Sequence, residues 1–149
     1  MAVKAGNLAK MGELADRLGE LATVPSRASR DAADGINEAL EEQFDLGVDP
    51  YGGAWAPLAE RTLLKHAEPA LTEIGDMRDG TLARPARGAG IEIVAPFPAG
   101  IHQTGAKRAP NWRMPARKIL PEGDALPPKW QAAIDGALTD AFGKATGGK

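Results

Sequence analysis

Two histidines, His66 and His102, and the carboxylates Glu38, Glu41, Glu42 and Asp45 are the side chains best suited by type to chemistry in this chain. Cysteine is absent, so there is no thiolate nucleophile and no disulfide framework. The histidines are far apart, and neither stands in a metal-ligand spacing such as H-x-x-x-H. His102, within Ile101-His102-Gln103-Thr104-Gly105, could act as a general base, but no serine, threonine or carboxylate constellation near it completes a triad. Glu38 and Glu42 share a helix face at i,i+4 without a histidine nearby, which reads as a solvated acidic face, or one that meets a basic partner, rather than a metal site. No phosphate loop is present, and Gly88-Ala89-Gly90 precedes a strand where a helix is required. The chain is therefore expected to be no enzyme and to hold no cofactor or metal.

Charge offers more. Between Glu13 and Asp49 ten acids face three arginines; between Gly80 and Pro121 Arg84, Arg87, Lys107, Arg108, Arg113, Arg117 and Lys118 face only Glu92. A chain with its signs separated in this way can attract copies of itself or present its basic part to nucleic acid. The segment from Lys107 to Lys118 carries one large aromatic, Trp112, which could serve as a stacking platform for a base. Nucleic-acid binding is accordingly the alternative function, with Lys107 and Arg108 as the candidate DNA-facing residues.

At 149 residues a single domain spanning 1–149 is expected, with a modest core of Leu, Ile and Ala because aromatics are few. No apolar run approaches the roughly 18 residues that a membrane span needs, and the N-terminus lacks an apolar signal core, so a soluble product made in a cytoplasm is expected.

The elements that must position these groups follow from periodicity. Leu8, Met11, Leu14, Leu18 and Leu21 form an apolar stripe predicting a helix over 7–22, which Pro25 should stop. Ser26 should cap a second helix, with Ala33, Ile36, Leu40 and Phe44 inward and Gly47 as its end. Together they predict an antiparallel helical hairpin. A short helix over 57–66 should follow. Strand 81–84 should pair with 90–95 across Arg87–Gly90, and a final helix should start at Pro127-Pro128 with Trp130, Ile134, Leu138, Ala141 and Phe142 inward. The class is α+β: a helical hairpin and a C-terminal helix on a small antiparallel sheet, with a long Pro/Gly-rich basic loop. Its arm, 104–118, should be extended and irregular, and 145–149 a frayed tail.

The stretch Phe44–Leu58 joins the acidic third to the basic remainder. Asp49-Pro50-Tyr51-Gly52-Gly53 reads as a β-turn, with Pro50 presetting φ and a glycine free to take positive φ. Trp55 is expected in the core, and Tyr51, at the tip, at an interface.

Four landmarks carry a resemblance: F-x-x-G-x-D-P-x-G-x-x-W-x-P-L (Phe44 to Leu58), L-T-x-x-G-x-M (Leu71 to Met77), I-H-Q-x-G (Ile101 to Gly105) and M-P-A-R-K-I-L (Met114 to Leu120). In this order they resemble the phage virion morphogenesis family, the tail-completion proteins of Mu-like and related contractile-tailed bacteriophages. The chain departs from that pattern at Thr104, where an aromatic is expected, and at Pro121, where a glycine is. Asp49, Pro50, Gly52 and Trp55 are its most specific markers. The resemblance implies a structural protein of the virion neck that completes the tail and helps join it to the DNA-filled head. It implies a homo-oligomeric ring around the DNA channel, a hexamer by the symmetry of a tail. Implied partners are neighbouring tail-terminator, tail-tube or head-completion proteins and, non-specifically, packaged DNA, with assembly in the host cytoplasm and no membrane.

A ring needs one patch of each subunit to meet a different patch of the next. The expected subunit interface therefore sets the arm, with Trp112, Arg113, Arg117 and Lys118, against Glu38, Glu41, Glu42 and Asp45 of a neighbour, with Tyr51 beside them.

Overall fold

The computed structural model describes residues 5–63, 71, 76–110 and 112–147. Helix α1 (Ala5–Leu46) is one continuous element. The expected break at Pro25 does not occur, and the expected helical hairpin is a single long helix. A proline forfeits one ladder hydrogen bond, here to the Leu21 carbonyl, and strains the preceding turn, yet it can be carried as a local irregularity. The Thr23 hydroxyl donates to the Glu20 carbonyl and the Ser26 hydroxyl to the Thr23 carbonyl, so side chains occupy the weakened turn. Beyond it, Val24 and Ala28 are held against α5 (Pro128–Thr146). Gly47, at φ 63°, ends the helix where glycine was expected to.

The true antiparallel partner of α1 is α5. Val24 and Ala28 meet Ala141 and Ala145, and Ala33, Ile36 and Leu40 meet Trp130. A Cβ on Gly35 would lie 2.9 Å from the Cβ of Ala133, so glycine there permits the close crossing. Strands β1 (Leu82–Pro85) and β2 (Ile91–Val94) form an antiparallel hairpin, with Ala83 opposite Ile93. It lays Ala83, Ile91 and Ile93 on the same stretch of α1. Asn37 fastens the free edge: its Oδ1 accepts from the Ala83 N–H at 2.6 Å and its Nδ2 donates to the Ala83 carbonyl at 3.0 Å.

Short helices α2 (Glu60–Leu63), α3 (Asp76–Gly80) and α4 (Pro98–Thr104) fill the connections. The short helix expected over 57–66 is described only over Glu60–Leu63; its remainder, His66 included, lies outside the described residues. The long Pro/Gly-rich loop carries α4, and its arm, expected to be irregular over 104–118, carries a second hairpin, β3 (Ala106–Ala109) with β4 (Trp112–Met114). The mixed α+β architecture stands, with a long N-terminal helix in place of two. Helix α5 runs to Thr146, so the chain is helical past the point where a frayed tail was expected to begin.

The apolar stripe of the first 22 residues is the larger correction. Met11, Leu14, Leu18 and Leu21 are exposed, because α5 ends against Val24 and Ala28 and offers them nothing to pack on. On α5, Trp130 and Ala141 are buried as expected, whereas Leu138 and Phe142 are exposed. Among the described residues no helix is long and apolar enough to cross a membrane.

Candidate functional site

The turn after α1 is built by a single carboxylate. The Gly52 N–H donates to the Asp49 carbonyl at 3.0 Å, closing a β-turn with Pro50 and Tyr51 at its centre. Gly52 follows at φ 90°, and the Asp49 N–H donates to the Gly53 carbonyl at 2.7 Å, so a left-handed residue turns the chain back to set Ala54 beside Val48. Asp49 Oδ1 accepts from both the Tyr51 and Gly53 N–H groups at 2.8 Å. A Cβ on Gly53 would sit 2.6 Å from Asp49 Oδ2, so a side chain there would push that carboxylate aside.

The residues that carry the resemblance converge. Phe44, Trp55, Met77 and Ile119 are buried in one cluster with Ala99, and Leu71 and Leu120 pack against it. Phe44 and Trp55 meet edge to face, with ring centroids 5.5 Å apart. The Trp55 indole N–H donates to the Lys118 carbonyl, and buried Gln43 donates to the Ile119 carbonyl. Gln103 clamps the same strand-like segment: its Nε2 donates to the Leu120 carbonyl and its Oε1 accepts from the Ile119 and Leu120 N–H groups. Gly105, at φ 72°, lets that segment pass, since a Cβ would lie 2.7 Å from the Met114 carbonyl oxygen and 2.9 Å from the Ala116 nitrogen. Described residues of four stretches far apart in the chain thus form one packed unit.

Two candidate interface residues are built into this unit. Arg117 is buried, and its guanidinium donates to the carbonyls of Ala56 and Pro57 at 2.8 and 3.0 Å. A buried guanidinium that holds the loop carbonyls cannot also reach a neighbour, so Arg117 is a structural residue and the interface assignment is corrected. Tyr51 is half-exposed, but its hydroxyl is shared between the carbonyls of Ala125 and Glu122 at 2.8 and 3.2 Å, pinning the turn to the segment before α5. Exposed Lys118 pairs with Glu122 at 2.7 Å; that hydrogen bond and charge raise the Lys118 pKa and lower that of Glu122.

The acids of α1 divide. Asp45 pairs with Arg78 at 2.8 Å and Glu42 with Lys129, whereas Glu38 and Glu41 stand exposed on the helix. On the basic side, β3 and β4 place Lys107 directly opposite Arg113, both exposed. Like charges opposed across two strands repel, so this hairpin favours an anion beside it. The side chains of Arg108 and Trp112 lie outside those described.

His102 is half-buried, and its carbonyl accepts from the Arg117 N–H. Among the described residues its buried Nδ1 has no hydrogen-bond partner, and burial, then the Arg117 charge, lowers its pKa below the ordinary 6.5. No hydroxyl and carboxylate among the described residues complete a triad with it. Nor, among the described residues, could any group of three or more His, Asp or Glu side chains hold a metal ion.

Sequence reasoning missed Asn37 and marked Gln103 only as part of I-H-Q-x-G, without the segments 46 and 16 to 17 residues away that their amides fasten; an amide in a sequence carries no mark of its partner. Comparison of the chain with protein-family models, with curated proteins and with solved structures returned no match.

Proposed function

We propose that the chain is a structural protein of the bacteriophage neck, which completes the tail and helps join it to the DNA-filled head as a ring around the DNA channel. The observation that carries this reading is the convergence of the landmark residues in one core about Phe44, Trp55, Met77 and Ile119. Residues that pack together mark a fold, and Phe44, Trp55, Met77, Gln103 and Ile119 of these landmarks serve packing and clamping. The exposed Lys107–Arg113 pair, opposite in sign to exposed Glu38 and Glu41, supports a contact between different faces of successive subunits. The virion is the place of action on this reading, and neighbouring tail and head-completion proteins are the partners.

Loss of the protein from the producing phage is the test. Separate full heads and tails, seen by electron microscopy, are the expected outcome; complete particles would rule out a joining role. One observation favours a second reading. The opposed cations of the β3–β4 hairpin suit a nucleic-acid backbone as well as a carboxylate surface. Retention of DNA on a filter at low salt, falling steeply as salt rises, would identify that reading.

A further inference from the structure

We infer that the N-terminal part of α1 is an arm that docks in a groove on a second copy of this chain. From Lys10 to Thr23 the helix runs beyond the body for about 20 Å at 1.5 Å per residue. Met11, Leu14, Leu18 and Leu21 are 64%, 57%, 58% and 38% exposed. Their spacing of three, four and three is the seam of a helix meant to pack against another surface. The arm also carries Gly12 and Gly19, poor helix formers, and a helix of this length is marginal in water unless its apolar face is covered.

The groove begins where the arm meets the body. Pro25, Ala28 and Ala32 form its floor, and Ile134, Leu138 and Phe142 of α5 form one wall, enclosing about 250 Å³. Leu138 and Phe142 are 40% and 52% exposed there. Arm and groove lie on one side of α1, so they make a single apolar surface from Met11 to Ala32.

Charge selects a second copy as the occupant, and area favours exchange of arms over two arms paired with each other. Half the side wall of a helix about 11 Å across gives the arm only roughly 300 Å² from Met11 to Leu21. A stable interface needs roughly 800 Å² per partner, so two arms paired only with each other fall well short. When each copy gives its arm and receives another, the groove's floor and wall are buried as well. The charges fix the direction. Lys10 and Arg17 stand fourteen and seven residues before Val24 and border the apolar seam on the flank that α5 covers further along the helix, with Glu13 and Glu20 set further round, away from the seam. Asp135, three residues before Leu138 and seven before Phe142, shares their exposed face of α5. An arm lying antiparallel to the α1 that receives it brings this flank, with Lys10 and Arg17 nearest the seam, to Asp135. A parallel arm would bring that flank to the hairpin turn carrying Arg87 beside Ala89, where like charges meet.

The contact does not rest on the neck reading. Reciprocal exchange closes a dimer and one-way exchange closes a ring, and both bury the same surfaces. Because the native chain lacks cysteine, single introduced cysteines report the contact cleanly. Protein carrying Leu18→Cys, mixed with protein carrying Leu138→Cys under oxidising conditions, is expected to give mixed disulfide-linked pairs in excess over either self-linked pair. Leu14→Asp with Leu18→Asp should weaken self-association by on the order of 100-fold, since it would bury carboxylates in an apolar groove. Both positions stand clear of the body, so near-UV circular dichroism should stay native. Sedimentation showing a native chain that remains monomeric, or self-linked Leu18→Cys pairs in excess over mixed ones, would overturn the inference. Monomers would leave the neck reading to be decided by particle morphology.

Discussion

His102 shows what one residue's surroundings do to a sequence motif. Ile101-His102-Gln103-Thr104-Gly105 offers a general base by residue type, but its described backbone and amide groups serve the adjacent segment 114–120. Gln103 clamps Ile119 and Leu120, Gly105 admits the Met114–Ala116 backbone, and the His102 carbonyl holds the Arg117 N–H. The imidazole itself is caught between burial and the Arg117 guanidinium, which both push its pKa below 6.5. In the folded chain it therefore stays neutral at pH values where the unfolded chain has bound a proton. Between the folded pKa and 6.5 the unfolded state binds more protons, so stability rises with pH across that window and is lost as pH falls through it. The urea midpoint is expected to drop as the buffer is taken from about pH 7 to about pH 5, in the range where histidine titrates. His102→Gln should flatten that dependence; an unchanged slope in the variant would assign it to other groups. Arg117 teaches the converse lesson. Its neighbours in the sequence are basic and Pro-rich, so it read as an interface cation, while the carbonyls that bury it belong to Ala56 and Pro57, about 60 residues earlier.

At the scale of elements, local signals were legible wherever the deciding contact was also local. The β1–β2 hairpin, the turn at Asp49–Gly53, the inward face of Ala33, Ile36, Leu40 and Phe44, and the Pro-initiated α5 were all readable from short-range pattern. The first 25 residues were not, because periodicity gives an apolar stripe its direction without saying whether anything lies opposite it. Leu14 and Leu18 have the spacing of core residues and stand in solvent, since α5 ends at Thr146 against Val24 and Ala28. Pro25 misled for a related reason: a proline signals a helix end only when no other force spans it, and here the helix resumes against α5 within a turn. The residue nonetheless removes the N–H that would serve the Leu21 carbonyl, a defect that costs about 3 kcal/mol in a helix interior. Pro25→Ala is expected to raise helix content, measured by far-UV circular dichroism, by joining the arm more firmly to the packed part of α1. The thermal midpoint should rise with it, because the mended turn lies between Val24 and Ala28, which pack on α5. Unaltered helix content would mean that the turn around Thr23 and Ser26 already compensates fully.

For the molecule as a whole, the fold separates its charges onto different elements and holds them apart. Glu38 and Glu41 are fixed on a helix that α5 and β1–β2 brace, and Lys107 and Arg113 face each other on a hairpin beyond the landmark core. Neither pair of side chains is needed by that core, so both can be changed without disturbing Phe44, Trp55 or Ile119. This independence allows a test that separates assembly from folding. If successive subunits meet through these faces, Lys107→Glu with Arg113→Glu should prevent ring formation while urea unfolding stays close to native. Glu38→Lys with Glu41→Lys should do the same. Each altered surface would then repel its unaltered neighbour, and like-charge contacts discriminate strongly between partners. A chain carrying all four changes restores opposite signs with the polarity exchanged and should assemble again, as read by sedimentation or negative-stain microscopy. Recovery in the quadruple variant is the decisive result, because local damage to one face would stop assembly in a double variant but could not be repaired by a second damaged face. Failure to recover, with folding intact, would remove this pair of faces from the ring contact and leave the arm of α1 as the surface that joins copies. Loss of DNA retention in the basic-side variant without any effect on assembly would place the hairpin against nucleic acid instead, since phosphate contacts answer to the sign of Lys107 and Arg113 alone.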